Sequence, residues 1–339
     1  MIDNNKDNID DVGEDQYRVF VSKVEKALID YYADTASIKV VEAKKNNGII
    51  LMGVSVLYKD TNIAPTIYLE SFYDEYNKGE TLGNIVRRII DISDRHTDIK
   101  SIDISFFMEY DTVKEYLAYR LVNAEKNREL LKEVPHIDYL DMAIIFYCQI
   151  DMGQYDLSKG YCDEMGCITI YNSHLEMWGK TVEDIYEQAK ENTPKILEPE
   201  WICMDDLLVD MIKKDMKRNQ TDGGNESELE IAVKQLLSVL LNGRDTSMFV
   251  LSNKQRRYGA TVMLYKDVLK SFSIKSQHNI YIIPSSIHEL IVIPDAGLER
   301  TEDLKSMVYQ VNRTELAYED ILSDSVYKYD LELDEVIML

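Results

Sequence analysis

Ile38-Lys-Val-Val-Glu-Ala-Lys-Lys-Asn-Asn-Gly48-Ile-Ile-Leu-Met-Gly-Val-Ser-Val56 decides the fold class. Two apolar, β-branched runs flank Asn47-Gly48. Asn-Gly favours a two-residue hairpin turn, because both central residues of a primed turn take positive φ. The spacing predicts antiparallel strands near 38–45 and 49–57. Ahead of them, Phe20, Val24, Leu28 and Tyr31 recur at helical spacing, with Val21 and Ala27 alongside. They predict an amphipathic helix from Tyr17 to Tyr31. A hairpin beside an amphipathic helix marks an α+β beginning.

The same reading extends along the chain. Leu69–Tyr76 predicts a short helix stopped at Gly79. Thr81 caps a helix with Leu82, Ile85, Val86, Ile89 and Ile90 on one face. Residues 102–134 are ambiguous, although Leu121-Val122 favours strand. Asp141-Met-Ala-Ile-Ile-Phe-Tyr-Cys148 predicts a buried strand, and Cys167–Tyr171 another. Ser173-His-Leu-Glu176 fits a capping box before a short helix that Gly179 ends. Thr181 starts the next helix, which runs to about Asn192, before Pro194.

Residues 218–228 form the most loop-like internal stretch, flanked by helical patterns around Leu207–Met211 and Ile231–Leu241. The last third predicts strands at 248–251, 279–283 and 290–293 and helices at 260–272 and 304–311. The expected class is therefore α+β: a sheet-rich N-terminal part with a β-hairpin and packed helices, then a C-terminal α/β part. The expected organisation is a mobile acidic N-terminus over 1–16, an N-terminal domain over 17–195, and a C-terminal domain over 196–339. Pro194 and Pro199 alone set that boundary.

The 339 residues carry 38 Lys+Arg against 61 Asp+Glu, a net charge of −23. Binding a polyphosphate requires cations that displace its counterions, so direct nucleic-acid binding is not expected. Residues 1–16 hold six acids and one Lys, and residues 315–339 hold eight acids and one Lys. Such ends are solvated and keep a protein soluble, or they present an acidic surface to a basic partner. The longest apolar run, Met142–Cys148, is far short of the ~20 residues of a membrane span. No secretory signal is legible at the N-terminus. Four cysteines, at 148, 162, 167 and 203, are too sparse for a disulfide scaffold. A cytoplasmic location with reduced thiols is expected.

Three clusters carry potential chemistry. Pro284-Ser-Ser-Ile-His-Glu289 lies between two apolar strands. Ser285 or Ser286 would serve as nucleophile, His288 as base and Glu289 as its orienting group. Against this, adjacent strand residues face opposite ways, no Gly-x-Ser-x-Gly elbow is present, and Pro-Ser-Ser is ordinary turn chemistry. Pro135-His-Ile-Asp-Tyr-Leu-Asp141 gathers His136, Asp138 and Asp141. If helical, the two aspartates share a face and suit a binding or general-base role; otherwise this is a polar turn leading into the buried strand. Cys162-Asp-Glu-Met-Gly-Cys167, with His174 nearby in sequence, lacks the second ligand pair of a zinc site. No metal and no cofactor are expected. Lys254-Gln-Arg-Arg257 reads as a surface turn. Walker A, Gly-x-Gly-x-x-Gly, EF-hand and His-Glu-x-x-His motifs do not occur.

Six strings occur together and in order: Lys44–Gly48, Asn62–Leu69, Val134–Tyr147, Asn172–Trp178, Asn192–Pro194 and Pro284–Glu289. Over about 17–328 the chain resembles a family from gut Clostridia and their relatives known as domain of unknown function 5688. It is more loosely similar to a Firmicutes family, domain of unknown function 1444, in the order of elements. The turn of that second family carries other polar residues than Ser285–Glu289. Neither resemblance brings catalytic residues with it. The function expected is that of a non-enzymatic binding or regulatory protein with a protein or small-molecule partner. The alternatives are a hydrolase using Ser285 or Ser286 with His288, and an acidic decoy of a nucleic-acid-binding protein.

Overall fold

The computed structural model describes residues 7–59, 64, 66–94, 105–149, 167–207, 248–297 and 301–339. The loop expected at 218–228, its flanking helical patterns beyond Leu207, and Cys162 lie outside the described residues. The chain forms two compact units. One is drawn from residues up to Phe106, the other from Phe107–Ile150 and Glu164–Leu339.

In the first unit, helix α1 (Asp7–Tyr32) precedes strands β1 (Ala36–Lys44), β2 (Ile50–Tyr58) and β3 (Thr66–Tyr68), then helices α2 (Glu70–Asn77) and α3 (Leu82–Asp94). The helix predicted from Tyr17 begins at Asp7, so part of the acidic stretch expected to be mobile is helical. The hairpin forms with Ile38 opposite Val56 and Val40 opposite Val54. Asn47 and Gly48 both take positive φ, at 59° and 73°. The connection holds three residues, because Lys45 N–H reaches Ile49 O at 2.7 Å and leaves Asn46–Gly48 as the loop. β3 adds to β2 antiparallel.

Phe20, Val24 and Leu28 of α1, Ile85 and Ile89 of α3, and Val54 and Val56 of β2 form one buried core. Thr81 caps α3 through Asn84 N–H at 3.3 Å. Two tyrosine–carboxylate links tie the helices and strands together. Tyr17 donates to Glu70 Oε1, which also accepts Met52 N–H. Tyr32 and Tyr58 both donate to Asp94 Oδ1.

The second unit opens with the short helical turn α4 (Tyr110–Val113) and β4 (Leu117–Asn123). Next come the turn α5 (Arg128–Leu131), β5 (His136–Tyr139), β6 (Met142–Gln149) and β7 (Cys167–Thr169). β6 is the spine of this sheet: it pairs antiparallel with β4 on one side and with β5 and β7 on the other. α6 (Asn172–Trp178) and α7 (Val182–Ile196) follow. Thr181 caps α7, accepting Asp184 N–H while Asp184 accepts Thr181 N–H. Pro194 lies inside the last turn of α7 instead of following the helix.

A six-stranded antiparallel sheet in the order β13-β12-β10-β11-β9-β8 completes the unit. Its strands are β8 (Pro199–Cys203), β9 (Phe249–Asn253), β10 (Ile280–Pro284), β11 (Leu290–Pro294), β12 (Tyr327–Asp330) and β13 (Glu335–Met338). The sheet class is thus α+β throughout, and the C-terminal part expected as α/β pairs its strands antiparallel. The helix expected over 260–272 is a tight 3-10 turn at Gly259–Leu264 and then α8 (Val268–Ser276), separated at Asp267 with φ 60°. Phe272 of α8 stacks on Trp201 of β8 at 4.2 Å. α9 (Thr301–Thr314) precedes β12. The acidic end therefore folds as a hairpin whose first strand pairs with β10. The boundary expected between 195 and 196 falls inside this unit, at the end of α7. Among the described residues no helix is long and apolar enough to cross a membrane.

The outer edge of β4 has backbone groups that no strand pairs among the described residues. Thr193 Oγ1 accepts Tyr119 N–H and Thr261 Oγ1 accepts Leu121 N–H, each at 3.2 Å. Asn192 Nδ2 donates to Lys114 O and Leu117 O, and Asn123 Nδ2 to Leu322 O. Both threonines are fully buried. Hydroxyls from α7 and the 3-10 turn thus close an edge that would otherwise be buried unpaired. Thr193→Val and Thr261→Val keep the side-chain shape and strand one backbone donor each. Each is expected to cost about 1–3 kcal/mol in denaturant unfolding.

Candidate functional site

β10 and β11 meet at the turn Ser285–Glu289, with Pro284 opposite Leu290. Ser285 and Ser286 N–H both reach Glu289 O at 3.2 Å. Ser285 Oγ donates to Glu289 Oε1 at 3.3 Å, and Ser286 Oγ accepts His288 N–H at 3.0 Å. The His288 ring points elsewhere. Its Nδ1 accepts Tyr258 N–H at 3.2 Å, its Nε2 faces Asp320 Oδ1 at 3.5 Å, and the ring stacks on Tyr258. A backbone donor on Nδ1 assigns the ring proton to Nε2, toward the carboxylate. The turn therefore brings Ser285 to Glu289, and His288 to Tyr258 and Asp320; it does not join a serine hydroxyl to the imidazole.

The segment that meets His288 is held tightly. Asn253, fully buried, donates from Nδ2 to Arg257 O and accepts Arg257 N–H, which fixes the turn after β9. Arg256 and Tyr258 sit in the left-handed region at φ 55° and 51°, a conformation that costs a non-glycine residue energy. A Cβ on Gly259 would lie 2.2 Å from His288 O and 2.1 Å from Ser252 Oγ, so only glycine fits this approach. Lys254 and Arg256 turn outward to Glu198 and Glu200. Arg257 turns inward.

On this side lies a cluster that the sequence reading did not assemble. Arg120 of β4 donates from Nη1 to Tyr258 OH, with its guanidinium carbon 4.6 Å from the ring centroid. Arg257 stands 4.9 Å from the same centroid and places Nη2 3.4 Å from both Tyr258 OH and Cys167 Sγ. The Tyr147 ring is 5.6 Å from Tyr258. The antiparallel register puts Arg120 opposite Ile145, Tyr147 opposite Thr169 and Cys167 opposite Gln149, so all three side chains share one face. Burial opposes the charge of Arg257, but Tyr258 and Cys167 beside it hold its affinity for the proton above the ordinary value. Burial, followed by Tyr258, raises the Tyr147 phenol. A signal for this site exists in Leu117-Ala-Tyr-Arg-Leu-Val122, where one arginine interrupts an otherwise apolar strand.

The remaining candidates are placed separately. His136 and Asp138 lie on one face of β5, a strand and not the helix that would pair Asp138 with Asp141. His136 Nδ1 is 3.1 Å from Val134 O, and its Nε2 is 4.0 Å from the exposed Asp138. Asp141, beyond the left-handed Leu140, accepts from Ser323, Ser325 and Tyr327. It anchors β12 to the β6 sheet. His174 Nδ1 accepts Tyr171 N–H at 3.1 Å and its ring packs edge-on against Phe107. Tyr171, not Ser173, is the N-cap position. Burial lowers the basicity of His174. Cys148, Cys167 and Cys203 are free thiols. Among the described residues no three His, Cys, Asp or Glu gather closely enough to hold a metal ion.

Two outcomes follow from these placements. Asp141→Ala deprives the buried Ser323 hydroxyl of its acceptor and leaves the Tyr327 hydroxyl with Ser323 Oγ alone, and should cost about 2–3 kcal/mol in urea unfolding. Cys148 is fully buried and burial pushes its thiol up to about 12. Because only the thiolate reacts, roughly one part in ten thousand is reactive at pH 8. Alkylation of the native protein at pH 8, mapped by peptide mass, should spare Cys148 and reach it only after unfolding.

No curated protein and no solved structure matches the chain. The model of a family of unknown function, DUF5688, matches residues 17–331, from within α1 to the residue after β12. The match spans nearly the whole chain, and the protein belongs to that family.

Proposed function

We propose that this chain is a ligand-binding or regulatory protein, working without covalent chemistry at Ser285–Glu289. The observation that carries this reading is the commitment of His288: one ring nitrogen holds a backbone N–H and the other faces Asp320. An imidazole so engaged positions the Tyr258 segment instead of accepting a serine proton. What it positions is a half-buried, donor-rich surface around Tyr258, which suits recognition. A small molecule or a protein segment is the class of partner this favours. The net charge of −23 disfavours nucleic acid. Free thiols favour the cytoplasm as its location.

The acidic decoy has less support. Part of the acidic end lies in the β12–β13 hairpin, and Asp324 and Asp334 are paired with Arg313 and Lys270. The hydrolase reading is tested directly with a fluorophosphonate probe on the full chain. No labelling is expected at either serine. Labelling that disappears in Ser285→Ala or Ser286→Ala would overturn the binding reading. His288→Ala should lower the unfolding temperature, because Tyr258 N–H then loses its acceptor.

A further inference from the structure

We propose that Arg120, Arg257, Tyr258 and Tyr147 form a subsite for one oxyanion, the carboxylate or phosphoryl group of a small ligand. This rests on the binding reading above and names the chemistry of its ligand. Three observations lead to it.

The first is Arg120. Its half-buried guanidinium makes one hydrogen bond, to a phenol, and lies against a ring. Its Nε is buried with no hydrogen-bond partner, and no carboxylate stands within ion-pair distance of it among the described residues. A guanidinium is normally kept in such a setting by a paired anion, which it grips through two parallel N–H bonds.

The second is Tyr147. This residue is 1 % exposed and its hydroxyl has no partner among the described residues. It lies among Tyr258, Arg257 and Arg120, close enough for their charges to act on it. A buried hydroxyl without a partner is costly. The groups converging here are guanidinium and phenol donors. An ionised carboxylate or phosphate accepts only, with several lone pairs, and satisfies such a set; a cation or a neutral donor does not.

The third is rigidity. Arg120 lies between Tyr119 and Leu121, whose backbone donors are held by the two buried threonines. Tyr258 is fixed by a left-handed backbone, by His288 Nδ1 and by the glycine after it. The backbone that carries Arg120 and Tyr258 is therefore held in place before a ligand arrives, which lowers the entropy lost on binding. In a chain of net charge −23 such a cationic point is local, so its selectivity rests on geometry and not on a long-range field.

The test is calorimetric titration of the full chain with inorganic phosphate and, separately, with malonate, each at constant ionic strength against a chloride control. Binding near one equivalent is expected for at least one. Phosphate alone identifies a phosphoryl ligand and malonate alone a carboxylate. Arg120→Gln and Tyr147→Phe should each weaken binding, by about tenfold or more for the arginine and several-fold for the tyrosine. Tyr147→Phe keeps the core shape, and circular dichroism checks the fold of both variants. Absence of binding beyond chloride, or wild-type affinity in either folded variant, would overturn the proposal. If the anions fail while Ser285 and Ser286 stay unlabelled by fluorophosphonate, the oxyanion assignment falls and the binding reading stands.

Discussion

The second unit depends on the closing of one sheet edge. β4 is the outer strand of a sheet whose spine, β6, is buried along almost its whole length. An edge strand at the centre of a fold has the same unpaired backbone groups as one at the surface, but no water to satisfy them. Here side chains supply the missing bonds. Asn192 and Thr193 reach from α7 and Thr261 from the 3-10 turn, while Asn123, at the end of the strand, donates from its own side chain to Leu322 O. Helix, turn and C-terminal segment are thereby held to the same strand. Each bond contributes only about 1 kcal/mol when made, but its loss leaves a buried donor or acceptor exposed to no partner. That asymmetry makes the arrangement specific.

The same constraint positions the polar cluster. With Tyr119 and Leu121 tied outward, the pleat of β4 directs Arg120 to the face it shares with Tyr147 and Cys167. The turn after β9 then delivers Arg257 and Tyr258 to that face from the other sheet. Strain at Arg256 and Tyr258 is tolerated because Asn253, His288 and Gly259 over-determine the segment. Ser285–Glu289, the most reactive-looking string in the sequence, contributes a support for Tyr258 through His288. Asp141 has a comparable structural part, gathering three hydroxyls of the C-terminal segment.

Charge is distributed by the fold in a way that composition conceals. The acidic C-terminal end contributes two strands, with Tyr327 and Tyr329 buried and Asp324, Asp330 and Asp334 at their borders. Lys328 pairs with Asp295, and this is the least exposed of the carboxylate–lysine pairs described. Alternation of apolar and charged residues in Tyr327-Lys-Tyr-Asp330 is a strand signal, and the high acid count masked it.

Local sequence determined the elements whose causes are local. Asn47-Gly48 set a hairpin, Thr81 and Thr181 set helix starts, Gly79 and Gly179 set stops, and the apolar spacing of α1, α3 and β6 set their buried faces. Where neighbours outweighed local preference, tertiary structure decided. Pro194 stays within α7, and the segment after Tyr258 breaks into a 3-10 turn and a helix, bringing Thr193 and Thr261 to the edge of β4. The cluster around Tyr258 was legible only as a lone arginine within an apolar strand. Its members come from residues 120, 147, 167 and 257–258, and nothing in a linear pattern specifies which distant strands will share a face. Propensity and capping act across a few residues; the pairing of buried donors with acceptors acts across the whole chain, and that pairing exists only once the fold has closed.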